Sequence, residues 1–329
     1  MSWYVILGTS ALVSLALAAE VAARIMGWHR PLLYERTAYG YRVKPSQSVR
    51  LFGNVVSYNE QGMRSGPILP APAPDTTRIL CIGDSITNGG TRIRQADTYP
   101  SLLQESLRES GYAVEVLNAS AGGWALENEA GWIADQGVFN SGIVVLQVAT
   151  HDLFQRMSGS HLVDSNPSFP STSPSLALLG FWRRVVMPRL GLGKDGRDPG
   201  LEASAYSVDD VRRGLAAIER MRTFAAENSA IFVMVHVPQP DGLEPQDELT
   251  NIAKAMLEEW ATCTETPLIR TSDAIRAAGG RALFVDVVHP NARGNAVIAG
   301  EVASSLVPIL KGRTPLPALA SQCAATAQC

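Results

Sequence analysis

Short apolar runs recur along the chain, separated by stretches in which apolar and polar residues alternate with helical spacing. Ile79–Ile82, Val114–Leu117, Ile143–Val148, Ala230–His236 and Pro267–Arg270 are brief and largely β-branched or leucine-rich. Such runs predict strands buried on both faces. Between them, Leu102, Leu103 and Leu107 share one face of a helix near Tyr99–Ser110. Val208, Val211, Leu215, Ile218 and Met221 mark another over residues 208–225. Helices are also expected around Leu126–Asp135, Asp247–Thr262 and Asn291–Leu310. Strands alternating with amphipathic helices predict a parallel sheet covered on both faces.

Two stretches break this rhythm. Residues 3–19 carry no charge and fall at the short limit for a membrane span, which Val21–Trp28 extends if Glu20 and Arg24 reach back toward water. A cleavable signal peptide is the rival reading, because Ala16-Leu17-Ala18 suits a cleavage site; no Lys or Arg precedes the apolar run, which favours an uncleaved anchor. The second stretch is an insertion over residues 155–206 with five prolines, Pro167, Pro170, Pro174, Pro188 and Pro199. Within it, Leu176–Leu190 combines Phe181, Trp182, Val185 and Val186 with Arg183, Arg184 and Arg189. That segment either covers a site, touches a membrane surface or packs on the domain's own core. The expected division is residues 1–28 as anchor or signal-anchor and 29–75 as a juxtamembrane region. That region holds a hairpin turn at Gly53-Asn54 and a Pro-rich linker. Residues 76–311 form the main domain and 312–329 a Pro/Ala-rich tail.

Composition narrows the function classes. A net charge of −3 over 329 residues, without a basic cluster, gives no field for nucleic acid. Cys81, Cys263, Cys323 and Cys329 lack metal-ligand spacing. Cys81 falls in a predicted strand as a small buried hydrophobe. Cys323 and Cys329 could close a small disulfide loop or remain free thiols.

Candidate chemistry sits at strand ends. The first run stops at Gly83-Asp84-Ser85, which places a serine at the carboxyl end of a strand, where open α/β sheets bind ligands. In Val285-Asp-Val-Val-His-Pro-Asn291, an Asp three residues before a His can hold the imidazole N–H and leave the other ring nitrogen for a hydroxyl. Gly122-Gly123 follows the second strand and His151 the third. The Gly123 N–H, the His151 side chain and the Ser85 N–H could together hold an oxyanion. There is no Gly-x-Ser-x-Gly around Ser85, which argues against the α/β-hydrolase elbow. Asp84 reads as a loop support, and His236, at the end of the fourth strand, as cleft-lining or core.

In order and spacing, these motifs from Arg78 to Leu310 resemble the SGNH (GDSL-type) hydrolase family. Gly83-Asp-Ser85 matches the first block. Asn118-Ala-Ser-Ala-Gly-Gly123 is similar to the second, and Asp286-Val-Val-His289 matches the last. The third block departs: the family usually has Gly-x-Asn-Asp, and Ala149-Thr-His-Asp152 stands there, so His151 replaces the asparagine donor. The resemblance implies a three-layer α/β/α, flavodoxin-like fold with a five-stranded sheet. It also implies Ser85, His289 and Asp286 as a triad, an oxyanion hole of Ser85, Gly123 and His151, and two-step ester hydrolysis through an acyl-serine. No metal or organic cofactor is implied. Expected partners are a small acyl ester or O-acylated carbohydrate and, through the N-terminal helix, a membrane, with the catalytic domain outside the cytoplasm. Arg24, Arg30 and Arg36, all C-terminal to the apolar run, conflict with that orientation. An O-acetyltransferase would use the same triad, and a non-catalytic envelope binding or assembly protein could keep the fold.

Overall fold

The five apolar runs form one parallel sheet, preceded by a long helix and two small hairpins. The computed structural model describes residues 2–51, 53–190, 206–240 and 247–312. Helix α1 spans Ser2–Ile25, and its window Ile6–Ile25 is long and apolar enough to cross a membrane, with almost none of it covered by the rest of the chain. Twenty helical residues reach about 30 Å, the thickness of a bilayer's hydrocarbon.

β1 (Tyr34–Thr37) pairs antiparallel with β2 (Gly40–Val43), and β3 (Gln47–Leu51) with β4 (Asn54–Tyr58). Leu51 lies opposite Asn54, so the turn sits one residue earlier than Gly53-Asn54: Asn54 already belongs to β4. Gly53, at φ +82°, adopts the left-handed backbone that the turn needs. These hairpins bury Tyr34, Tyr39, Tyr41, Val43, Val56 and Tyr58 in the same apolar cluster as Leu80, Leu117 and Leu146 of the sheet. The sequence set residues 29–75 apart as a juxtamembrane region; in the structure their hairpins share the main core.

The central strands are β5 (Thr77–Gly83), β6 (Val114–Ser120), β7 (Ile143–Val148), β8 (Ile231–His236) and β9 (Leu268–Arg270). Their order is β6-β5-β7-β8-β9, and every neighbouring pair is parallel. This is the flavodoxin-like order, with its switch point between β5 and β7. Among the described residues, the principal further helices are α2 (Ser85–Asn88), α3 (Tyr99–Glu109), α4 (Leu126–Gln136), α5 (Ala177–Phe181), α6 (Val208–Glu227), α7 (Glu248–Cys263), α8 (Ser272–Ala278) and α9 (Ala292–Gly312). Alternation along each strand feeds two cores. Leu80, Ile82, Val144, Leu146, Phe232 and Met234 meet α4, α6 and α7. Ile79, Cys81, Ile143, Val145, Val233 and Val235 meet α3, α8 and α9. The chain is thus the expected α/β/α sandwich, with α8 added.

Within the insertion, α5 runs on through a π-turn at Trp182–Val186 to Arg189, so the amphipathic stretch is helical. Cys81 is buried and Cys263 exposed. Part of the insertion, residues 191–205, lies outside the described residues. So do Cys323 and Cys329 with the question of their pairing.

Candidate active site

Ser85 is the first residue of α2, directly after β5. Asp84 caps that turn, its Oδ1 accepting the Ile86 N–H at 2.8 Å. Gly83 has no alternative here: a Cβ would stand 2.2 Å from Thr87 Oγ1 and 2.8 Å from Gln147 Oε1. Those two atoms hydrogen-bond at 2.9 Å and tie the serine turn to β7.

The Asp–His turn before α9 folds back onto this point. His289 Nε2 lies 2.8 Å from Ser85 Oγ, and His289 Nδ1 lies 2.8 Å from Asp286 Oδ2. Asp286 Oδ1 accepts the N–H groups of Val288 (2.9 Å) and His289 (2.8 Å), so three residues of local chain fix its position. Burial raises the Asp286 pKa, but the N–H groups of His289 and Val288 and the imidazole outweigh it and hold the carboxyl below its ordinary value. The arm is open to water, with the His289 side chain 40% exposed and that of Asp286 51%.

Gly123 takes φ +75° in the turn after β6. Among the described residues, neither its N–H nor that of Ser85 donates to a protein acceptor. The turn is held from outside the sheet: Tyr41 Oη donates to Gly122 O at 2.7 Å, Ser158 Oγ to Gly123 O at 2.6 Å, and Trp124 Nε1 to Tyr41 O at 2.8 Å. A Cβ on Gly123 would lie 2.9 Å from that Tyr41 hydroxyl, so the strap and the glycine require each other.

His151 lies in the 3₁₀ turn Thr150–Leu153 that ends β7, across the switch point from Ser85. Its Nε2 is 3.3 Å from Asp152 Oδ1, and its neighbours are carboxyls. Burial pushes Asp152 up to about 7 against the pull of the Ala149 N–H. Burial and then the Asp152 charge push Asp84 up to about 7. Glu129 on α4, 1% exposed, is raised well above the carboxylate range by burial and then by both aspartates. Asp84, His151 and Asp152 bring ligand-type atoms within 4.8 Å of one another. Oδ1 of Asp84 and Oδ2 of Asp152 are already engaged by backbone N–H groups. His236 is not purely core: its Nε2 meets Thr150 Oγ1 at 3.0 Å beside this wall.

The structure therefore brings Ser85, Asp286 and His289 into one hydrogen-bonded chain, with Gly123 and His151 on neighbouring strand ends. Sequence reasoning did not single out Tyr41, Ser158, Glu129 or Arg64. Arg64 is 1% exposed and holds the loop after α2, donating to the carbonyls of Asn88, Gly90 (2.6 Å) and Ile93 (2.7 Å) and to Gln95 Oε1 (3.1 Å).

The chain is similar to several known proteins. A segment of 91 residues is 37% identical to an acetylxylan esterase from Xylanibacter ruminicola, covering 26% of this chain and 18% of that protein's length. Among solved structures, the acetyl xylan esterase AlAXEase is 20% identical, covering 70% of this chain and all of that one at a TM-score of 0.44. The esterase EstA from Pseudoalteromonas is 15% identical, covering 71% and 99% at a TM-score of 0.42. The model of the GDSL-like lipase/acylhydrolase family matches residues 81–297, a span that takes in the serine turn, the Gly123 turn and the Asp–His turn. The chain belongs to that family.

Proposed function

We propose that the protein is a carboxylic ester hydrolase that acts through an acyl-serine on small O-acyl groups, with an O-acylated carbohydrate as the alcohol side. The hydrogen-bonded chain Ser85 Oγ–His289 Nε2, His289 Nδ1–Asp286 carries this reading. His289 takes the Ser85 proton as Oγ attacks the acyl carbonyl, and Asp286 stabilises the imidazolium without accepting a proton. The tetrahedral oxyanion is held by the N–H groups of Ser85 and Gly123, with His151 as third donor. His289 then protonates the leaving alcohol. A water activated by the same imidazole attacks the acyl-serine, and Ser85 recovers its proton as the acid departs.

His151 has a particular constraint in this role. A neutral imidazole has one N–H, and a His151 that donates it to Asp152 has none left for the oxyanion; the imidazolium has two. The related segment of an acetylxylan esterase supports a carbohydrate O-acetyl ester as substrate. α1 supports attachment to a membrane as a single-pass anchor.

The test uses the full chain in detergent, a chromogenic acetyl ester and acetylated xylan, beside Ser85→Ala. Turnover should fall by a factor on the order of 10⁴–10⁶ in the variant. Equal turnover in both proteins, or none on any short acyl ester, overturns the reading. Product release that depends on an added sugar acceptor would make it a transferase.

A further inference from the structure

α1 does not leave the domain as a free stalk. Its last two turns are clamped to the insertion helix. Glu20 accepts the first N–H groups of α5 through both oxygens, from Ala177 at 2.8 Å and Leu178 at 2.9 Å. Arg24 pairs with Glu20 at 2.7 Å and donates to Ser175 O at 2.9 Å. Just beyond α1, Trp28 meets Phe181 edge-on at 5.3 Å, and Arg184 stacks over the same indole at 5.2 Å while donating to Trp28 O at 2.7 Å. Ala23, Trp28, Leu51 and Ala177 close a small core with Leu178, Phe181 and Val185. The inner face of the insertion helix is thus used up by the foot of α1.

Its outer face is not. Trp182, Arg183, Arg189 and Leu190 are exposed, Trp182 by 44% and Leu190 by 58%. The two pairs lie seven residues apart, one opening the π-turn and one beyond it, so an aromatic, an aliphatic and two cations are exposed along one short stretch. At the foot of α1, Ile25 and Met26 are also exposed, by 78% and 54%. Tryptophan, leucine and arginine mixed on one exposed stretch suit the headgroup layer of a bilayer. There the indole and leucine reach the acyl boundary, and the guanidinium groups meet lipid phosphate. A spanning helix rigidly joined to this stretch delivers it to that depth.

Resting on the reading of α1 as a membrane span, we infer that the insertion helix is a second membrane contact, lying in the headgroup layer of a bilayer containing anionic lipid. It holds the catalytic domain at a fixed height and tilt. The contact reaches the site through the insertion. Phe169 packs on Tyr34 and Tyr41, at 5.0 and 4.8 Å between ring centroids, and Pro170 O accepts the Tyr34 N–H at 2.9 Å. Tyr41 is the residue that straps the Gly123 turn.

The test places an environment-sensitive fluorophore on single cysteines, with Cys263, Cys323 and Cys329 changed to Ser, in the full chain reconstituted into nanodiscs of neutral and anionic phospholipid. The sites are Leu12→Cys in α1, Leu190→Cys in the exposed stretch and Glu227→Cys at the far end of α6. A label at 190 should shift to the blue and lose intensity to nitroxides placed high on the lipid chains. A label at 12 should respond to nitroxides at the bilayer centre, and one at 227 to neither. Adding Arg183→Glu and Arg189→Glu should return the 190 label toward its emission in water and leave the 12 label unchanged. If the 12 label is in lipid and the 190 label stays in water, this inference falls and the span stands. If both stay in water, the span and the inference fall together, and ester hydrolysis by Ser85 is untouched by either result.

Discussion

Two sets of carboxyl groups flank Ser85, and their surroundings push them in opposite directions. On the outer side, Asp286 sits in a solvent-open turn, collects two N–H groups and an imidazole, and is held below its ordinary pKa. On the inner side, Asp84, Asp152 and Glu129 are buried within 4% of full coverage and are raised. The outer arm is assembled by a few residues of adjacent chain. The inner wall is assembled by tertiary burial, which disfavours the charged form of its groups. The difference separates what the serine needs for attack, a stable anion behind the imidazole, from what shapes the far side of the cleft.

His151 is where the two sides would meet in the chemistry. If the inner wall acts on the oxyanion, His151→Ala should lower kcat on the order of 10²–10³ with the fold intact, and His151→Asn should recover most of it. Steady-state kinetics on an acetyl ester decides this. An alanine variant with wild-type kcat makes the inner wall a structural element only.

Arg64 tests how firmly the loop after the serine turn is held, apart from either set of carboxyls. Its guanidinium, whose pKa burial lowers, satisfies three carbonyls of the loop that follows α2. Arg64→Met keeps much of the apolar volume and leaves those carbonyls without a donor, at about 1 kcal/mol or more each. A loss of roughly 3 kcal/mol in chemical denaturation is expected. A loss under about 1 kcal/mol would mean that water replaces the guanidinium there.

These cases show which parts of the molecule were legible in the sequence. The strands were, because Ile79–Ile82 and Ile143–Val148 are largely apolar runs closed by Gly or His-Asp turns, as burial on both faces favours. The Asp286–His289 relation was, because three residues of spacing nearly fix its geometry. Tyr41 and Arg64 were not. Tyr41 reaches Gly122 across 81 residues and Arg64 reaches Asn88 across 24. No local periodicity announces such contacts, and strands of four or five residues carry too little pattern to show that the hairpins join the main core. Asp84 read correctly as a loop support, since a cap is a local device. Its raised pKa was invisible, because it depends on tertiary burial and then on Asp152 arriving from the end of another strand.

The opposed pKa shifts give the comparison a pH signature. Asp84 and Asp152 bind protons in the folded protein up to about 7, whereas an unfolded aspartate releases its proton near its ordinary value of 3.8. Over that window the folded state holds more protons, so stability falls as pH rises and levels off above about 7. Asp286 has the reverse sign: its contribution is present above the unfolded value and is lost as pH falls through its lowered folded pKa. The thermal midpoint should therefore be higher at pH 5 than at pH 7.5. Asp152→Asn, which keeps an acceptor for the Ala149 N–H, should flatten that slope. A midpoint that rises from pH 5 to 7.5 would mean the inner carboxyls are ionised in the folded protein.

The smallest expected effect concerns the strap that joins the hairpins to the Gly123 turn. Tyr41→Phe keeps the ring against Phe169 and removes one hydrogen bond, the 2.7 Å donation to Gly122 O. A single neutral hydrogen bond is worth about 1 kcal/mol, so a purely structural strap would cost that much stability and leave kcat alone. A strap that aims the Gly123 N–H acts differently, because oxyanion donors depend on placement. In that case kcat falls about fivefold, the equivalent of about 1 kcal/mol, while KM and the thermal midpoint stay close to wild type. The kcat-against-stability split distinguishes the two. It also decides whether β1–β2, which lie outside the matched family span, belong to the catalytic framework or only cover it.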